Sequence, residues 1–281
     1  MMNAVPERLA IIAGKGAYPR LLAESARLQG VRHIAAVAFR GETDPRIKAV
    51  CDETHWVYIG QLGRMLDAIT ATGAHHAVMA GQITPTHLFR VRMDARMLAL
   101  LKRLPERNAE TIFGAIGDEL RGIGVELLPA SSFMEAHMPV PGVLTRRGPT
   151  ADEQRDIELG LTVAKTSSGL DIGQTVVLKR GTILAVEAFE GTDAAIKRAG
   201  KLGGAGAVVV KVAKQGHDMR FDIPVIGLNT VKSLHKARCA AMAVEAGKAI
   251  LLERDAIIAR MDALGMCLVA AESEANKQGD A

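Results

Sequence analysis

The sequence predicts an α/β protein with a parallel-sheet first domain, a proline-rich linker and a second, mixed α/β domain. Three observations carry that expectation. Short continuous apolar runs alternate with helical patterns through the first half. Pro129, Pro139, Pro141 and Pro149, with Gly142 and Gly148, cluster between the halves. The 281 residues are 48% hydrophobic but only 3% aromatic, so the cores must be aliphatic, which suits α/β layers better than sandwiches. At roughly 150 residues per domain the length implies two domains. We place the first at residues 1–130, the linker at 131–150 and the second domain at 151–281.

Leu9 to Ala13 is an apolar run of the kind a doubly covered parallel strand shows. A glycine loop and a helix from Tyr18 to Gln29 follow. Strands are expected at His33 to Phe39, His55 to Ile59 and Ala77 to Ala80, with a helix from Leu62 to Thr72. Further helices cover Thr86 to Leu104 and Ala109 to Arg121, and Gly124 to Leu128 returns as a strand. Beyond the linker, Thr150 caps a helix running to about Ser168, with Glu153 as its capping-box partner. Gln174 to Lys179 and Ile183 to Ala188 form a hairpin, and a helix spans Thr192 to Leu202. Ala207 to Val212 is a β-branched strand, a short run lies at Asp222 to Gly227, and a strand is expected near Ala249 to Leu252. Helices from Thr230 and Glu253 are expected to finish the chain, before a polar tail after Ala270 that should be disordered.

The formal net charge is +4, mildly basic. An anionic substrate or an anionic membrane surface fits that balance as well as nucleic acid does, and the scarcity of aromatics argues against single-strand nucleic-acid platforms. No nucleic-acid partner is expected. Cys51, Cys239 and Cys267 have no metal-finger spacing and read as reduced, small buried residues of a cytoplasmic chain. The start does not read as a signal peptide, and no apolar run reaches the about 18 residues of a membrane span. Any membrane contact is therefore expected to be peripheral.

Four regions could carry chemistry. Gly14, Lys15 and Gly16 lie between a strand and a helix, where a backbone can approach a phosphate and Lys15 adds charge. A plain tight turn fits the same residues. Pro19 and Phe39-Arg40-Gly41 depart from a dinucleotide fingerprint, which wants a third glycine and an acidic residue there. Gly81, Gln82 and Ile83 end another strand, where Gln82 could read a base or ribose, or Thr84 could merely start a helix. Glu187, Glu190, Gly191, Thr192 and Asp193 gather carboxylates at a helix start; Asp193 as a capping acid is the structural alternative. Asp218, Arg220 and Asp222 alternate, so a strand would set all three on one face. Carboxylates suit Mg2+ and Arg suits phosphate, although a solvated salt-bridge ladder would look the same.

The segments IAGKGAYP (Ile12 to Pro19), AGQI (Ala80 to Ile83), DIGQTVV (Asp171 to Val177), AVEAFEGTD (Ala185 to Asp193) and DMRFDIPVIG (Asp218 to Gly227) together resemble a known family. It is that of the metal-dependent UDP-2,3-diacylglucosamine pyrophosphatases of lipid A synthesis, distinct from calcineurin-like phosphoesterases. The resemblance covers nearly the whole chain. It implies a Rossmann-like first domain, a ligand between the domains, and hydrolysis to UMP and 2,3-diacylglucosamine 1-phosphate (lipid X). It further implies attack at the sugar-side phosphate, Mg2+ (or Mn2+), and a cytoplasmic enzyme peripheral to the inner membrane. A homodimer is compatible with it. On this reading Asp222 is the first choice as metal ligand or water positioner, with Asp218 or Glu187 beside it. Lys165, Lys211 and Arg220 are set against phosphate, and Gln174, from the DIGQTVV segment, joins the substrate contacts. His217 stands where the family more often has Gln, which puts a role for that side chain in doubt.

Two rivals predict different behaviour. An NADP-dependent oxidoreductase, with Arg40 on the 2′-phosphate, would bind a nicotinamide cofactor and leave the acidic segments without work. A non-catalytic sugar-nucleotide or lipid sensor would bind and release nothing.

Overall fold

The central runs of the first half, Leu9 to Ala13 and Ile34 to Phe39, are buried on both faces, as their unbroken apolar sequences require. A computed structural model of the protein describes residues 5–83, 93–106, 108–214, 220–221 and 223–272. They fall into two units. The first runs to Met134 and also takes Arg220 and Phe221; the second begins at Glu135 and resumes at Ile223.

In the first unit, β1 (Arg8–Ala13), β2 (His33–Phe39), β3 (Glu53–Val57), β4 (His76–Ala80) and β5 (Glu126–Leu127) pair in parallel in the order β3-β2-β1-β4-β5. Parallel neighbours need crossovers, and helices supply them. On one face α1 (Tyr18–Leu28) packs against β1 and β4. On the other, α2 (Leu62–Ala71), α3 (Ala95–Arg103) and α4 (Ala109–Gly122) bring Leu66, Leu100 and Leu120 into one core with Ile12 and Val37. The alternation Ala10, Ile12 to one side and Leu9, Ile11 to the other follows from the period of two along a strand. β2 lies on one side of β1 and β4 on the other, so the order reverses there. That reversal is the topological switch point, where open parallel sheets bind ligands beyond the strands' carboxyl ends.

In the second unit the strands are β6 (Gly142–Val143), β7 (Thr175–Lys179), β8 (Thr182–Val186), β9 (Val208–Lys211), β10 (Val225–Ile226), β11 (Ala241–Glu245), β12 (Ile250–Leu251) and β13 (Cys267–Ala271). Six form a mixed sheet in the order β6-β13-β11-β9-β7-β8, while β10 and β12 pair separately in parallel. β9, β11 and β13 are parallel; β6, lying in the proline-rich segment, is antiparallel to β13, and β7 is antiparallel to both β8 and β9. α5 (Ala151–Gly169) covers one face, setting Ile157 and Ala164 on Leu178 and Val210. Gly160 permits that approach, because a Cβ there would lie 2.5 Å from Val210 Cγ2. α6 (Thr192–Gly203), α7 (Leu228–Lys236) and α8 (Arg254–Ala263) cover the other with Ile196, Leu234 and Ile257.

The expected α/β class holds, with a parallel sheet followed by a mixed one. Five local expectations are corrected. The third strand begins at Glu53 and ends at Val57 rather than running His55 to Ile59. α3 starts at Ala95, capped by the Asp94 carboxylate, which accepts the Met97 N–H at 2.8 Å; the expected start at Thr86 lies outside the described residues. Strands β11 and β13 occupy stretches where only helices were expected. Ala271 completes β13, and of the expected tail residues 273–281 lie outside the described residues. Finally, Arg220 and Phe221 form a turn, so the expected strand is interrupted at the middle of its three charged positions.

Candidate active site

At the switch point of the first unit, the loops after β1 and β4 are tied together. Gly14 N–H donates to Ala80 O at 2.7 Å, and Lys15 N–H donates to Gln82 O at 2.7 Å. The loops come so close that only glycine fits at two positions. A Cβ on Gly14 would lie 2.8 Å from Gln82 O, and one on Gly81 would lie 2.7 Å from Lys15 O. Gly81 also has φ +89°, a left-handed conformation that glycine tolerates. Gly16 has φ +93° but open space around it, and Ile83 turns toward the aliphatic core. Lys15 and Gln82 remain exposed. The loops therefore present a lysine and a carboxamide side by side at the carboxyl ends of β1 and β4.

The second unit holds a polar cluster where apolar neighbours would be expected. Lys211 ends β9 on the α6 side and is only 8% exposed. Its Nζ donates to Thr192 Oγ1 at 2.9 Å, and Thr192 Oγ1 donates to Glu187 Oε1 at 2.9 Å. Thr175, paired with Lys211 across β7 and β9, sets its hydroxyl 3.4 Å from that of Thr192. Glu187 Oε2 and Gln174 Oε1 are buried with no hydrogen-bond partner among the described residues. Buried acceptors are normally paired, so these two atoms are suited to take a donor or a cation. Gly173 packs on the Glu187 carbonyl and leaves no room for a Cβ, which holds the DIGQ turn against the Glu187 loop.

On the opposite face of the same sheet, Lys165 projects from α5. Its Nζ donates to Ala213 O at 2.8 Å and to Glu245 Oε2 at 2.7 Å. Glu245 ends β11 and is wholly buried. Lys211 and Glu245 thus mark the carboxyl ends of adjacent parallel strands, again the end at which ligands bind such sheets.

The remaining candidates are placed as follows. Gly191 is the N-cap of α6 at φ +82°, and Asp193 stands exposed in the first turn rather than capping it. Glu190 accepts from Arg198 at 2.6 Å and from Ala188 N–H at 3.1 Å. The Arg198 bond, followed by backbone hydrogen bonds from Glu190 itself and Ala188, holds its carboxyl below the usual range. Arg220 belongs with the first unit, beside Gly117, where a Cβ would lie 3.2 Å from its guanidinium. Asp218, Asp222 and His217 lie outside the described residues. Thus Glu187, Thr192 and Lys211 are brought into one cluster, with Lys165 across the sheet, whereas the loops at Lys15 and Gln82 belong to the other unit. Burial pushes the Cys51 and Cys239 thiols up to about 12 and raises that of Cys267, so none is suited to act as a nucleophile near neutral pH.

Sequence reasoning did not single out Thr175 or Glu245. A lone Glu closing the apolar run AMAVE was the available signal for Glu245, since a buried carboxylate at a strand's end needs a partner.

Among the described residues no group of three or more His, Cys, Asp and Glu side chains could hold a metal ion. Glu187 Oε2 nevertheless suits one, because Mg2+ is bound by one or two carboxylates together with phosphate and water oxygens rather than by an all-protein cage.

Fold and site define a two-unit α/β protein that gathers lysines and carboxylates at strand carboxyl ends. Residues 8–137 match the LpxI N-terminal domain and residues 140–269 the LpxI C-terminal domain. The chain belongs to the LpxI family. It is similar to the UDP-2,3-diacylglucosamine pyrophosphatase LpxI of Caulobacter vibrioides, 31% identical over 279 residues, which cover 95% of this chain and 98% of that protein. Among solved structures, the biotin carboxylase domain of Hydrogenobacter thermophilus 2-oxoglutarate carboxylase is 12% identical, with a TM-score of 0.29, covering 84% of this chain and 41% of that one. An ADP complex of N5-carboxyaminoimidazole ribonucleotide synthetase is also 12% identical, with a TM-score of 0.27, covering 68% and 44%. The chain spans less than half of either, and likenesses this weak carry no argument.

Proposed function

We propose that this chain hydrolyses the pyrophosphate of UDP-2,3-diacylglucosamine, giving UMP and 2,3-diacylglucosamine 1-phosphate, with Mg2+ (or Mn2+) as cofactor. The supporting observation is the 31% identity to a pyrophosphatase of that name over nearly the full length of both chains. The site chemistry agrees. Lys211 and Lys165 supply ammonium donors to phosphate oxygens, and Glu187 offers an unpaired carboxylate oxygen. Lys15 and Gln82 suit the nucleotide end, at the switch point of the parallel sheet. Asp222 and Asp218 remain the proposed metal ligands. When bound, a divalent cation neutralises the phosphate oxygens and favours a nucleophilic water. Arg220 is assigned to phosphate as well. No helix among the described residues is long and apolar enough to cross a membrane. The proposed lipid-linked substrate, rather than that absence, is the reason to propose an enzyme peripheral to the cytoplasmic side of the inner membrane.

The test is turnover of UDP-2,3-diacylglucosamine by protein stripped with EDTA and then resupplied with Mg2+, run in 18O-labelled water. UMP and labelled 2,3-diacylglucosamine 1-phosphate, formed only with metal, are expected. Substrate bound but never cleaved would overturn the hydrolase reading, and label in UMP would overturn attack at the sugar-side phosphate. Lys211→Met removes one donor to the developing charge and is expected to lower kcat by about 10²–10³. Wild-type kcat in that variant would remove Lys211 from the site.

A further inference from the structure

Glu245 has 0% of its side chain exposed, and its two oxygens are treated unequally. Oε2 accepts from Lys165 Nζ and from the Ala213 backbone N–H, both at 2.7 Å. Among the described residues Oε1 accepts no hydrogen bond; Lys248 Nζ lies 3.7 Å away. Burying a carboxylate with an ammonium is weak support for stability, because desolvation cancels most of the attraction. Its geometric consequences are clearer. Ala213 lies two residues beyond Lys211, at the start of the loop that leaves β9, so Glu245 pins that loop to the end of β11. The same oxygen fixes the Lys165 ammonium, whose second proton goes to Ala213 O at 2.8 Å. An ammonium has three protons. Among the described residues two are taken, and the Lys165 side chain is 28% exposed, so the third is directed by the first two.

We infer that Glu245 is a positioning residue for pyrophosphate cleavage: it holds Lys165, and the first residues of the loop after β9, in the arrangement that meets the substrate phosphates. This rests on the pyrophosphatase reading above. Glu245 itself touches no phosphate, since like charges would repel; it acts through Lys165.

The experiment is a double-mutant cycle in the full-length protein, with kcat and KM for UDP-2,3-diacylglucosamine and thermal unfolding read in parallel. Glu245→Gln keeps volume and an acceptor for Ala213 but removes the charge. It is expected to lower kcat/KM about tenfold or more. Lys165→Met is expected to lower it about a hundredfold. The double variant, which leaves neither charge unpaired, should be no worse than Lys165→Met alone, because the two residues act as one unit. Losses that multiply across the cycle, or wild-type kcat/KM in Glu245→Gln, would overturn the proposal. Should Glu245→Gln fail to fold, Lys165→Arg tests the same geometry, since a planar guanidinium cannot reproduce the ammonium's bonds. Wild-type kcat/KM in folded Lys165→Arg would also overturn it. If wild type cleaves no substrate, the functional reading fails on its own, and the pair is judged by inorganic pyrophosphate. A thermal shift seen in wild type and lost in Glu245→Gln then keeps the positioning of Lys165 for phosphate binding alone, and an equal shift in both, or none in wild type, ends the inference.

Discussion

Gly14 is buried, and its identity is set by a neighbouring backbone rather than by a ligand. Replacing it with Ala puts a methyl 2.8 Å from both Gln82 O and Gly81 O, atoms that cannot swing away. Overpacking of this kind costs about 1–3 kcal/mol. Gly16→Ala meets only its positive φ, at about 1–2 kcal/mol, whereas Gly81→Ala meets both a positive φ and a close backbone oxygen. Thermal denaturation should therefore rank Gly81→Ala below Gly16→Ala in stability. Equal melting points for these two variants would show that the loop contact is not what excludes a side chain. The residue scale also shows where sequence reading stops. The glycine loop was legible as a special turn, but packing accounts for Gly14 and Gly81 without any ligand. What remains for chemistry is the exposed pair Lys15 and Gln82. Glu187 and Lys211 could be singled out from their segments, yet their junction at Thr192 depends on pairing across β7, β8 and β9, which no local pattern reveals.

α5 is the element whose sequence and structure agree most closely. Thr150 Oγ1 accepts the Glu153 N–H at 3.3 Å, and Glu153 Oε2 accepts the Thr150 N–H at 2.8 Å, the reciprocal pair expected from the spacing. Arg147 adds a bond to Glu153 at 2.6 Å. Burial pushes the Glu153 carboxyl up, but the Arg147 guanidinium and the Thr150 N–H outweigh it and hold the group below its ordinary value. A depressed folded-state value means that this stability is fully present above the unfolded value of about 4.3 and is lost as pH falls through the folded one. Thr150→Ala should cost about 1 kcal/mol in urea unfolding at pH 7. Glu153→Gln should also be less stable than wild type at pH 7, with the gap narrowing once the pH drops below about 4.3. A gap that stays constant down to pH 2 would count against the ion pair. The hairpin was equally legible: Lys179-Arg180-Gly181-Thr182 turns with φ +50° at Arg180 and +74° at Gly181. The Asp156 carboxylate accepts both of those backbone N–H groups, at 2.7 and 2.6 Å. β11 and β13 were not legible, because AMAVE and CLVAA are rich in alanine and follow directly on helical patterns. Parallel neighbours across the sheet, not intrinsic preference, make them strands.

At the scale of the whole molecule, the chain order and the units do not coincide. Between β9 and β10 the chain leaves the second unit, contributes Arg220 and Phe221 to the first, and returns at Ile223. The clustering of motifs made the family resemblance readable, but no composition or periodicity marks a short excursion of this sort. Phe221 is its anchor: the ring packs against the aliphatic core of the first unit and lies 5.8 Å from that of Phe113, tilted by 38°. Arg220 sits over the same ring at 5.9 Å and fits beside Gly117, where a side chain would crowd it. Removing the ring should therefore loosen Arg220, a proposed phosphate ligand, without touching the Lys211 cluster. An aromatic pair contributes about 0.5–1.5 kcal/mol beyond the area it buries. Phe221→Ala is accordingly expected to lower the melting point modestly and kcat/KM by more than tenfold, while Phe221→Leu restores most of the stability but not all of the activity. The measurement is kcat/KM for UDP-2,3-diacylglucosamine beside a thermal melt for both variants. If Phe221→Ala melts lower yet turns over substrate at the wild-type rate, the excursion stabilises the first unit and takes no part in holding Arg220 for the reaction.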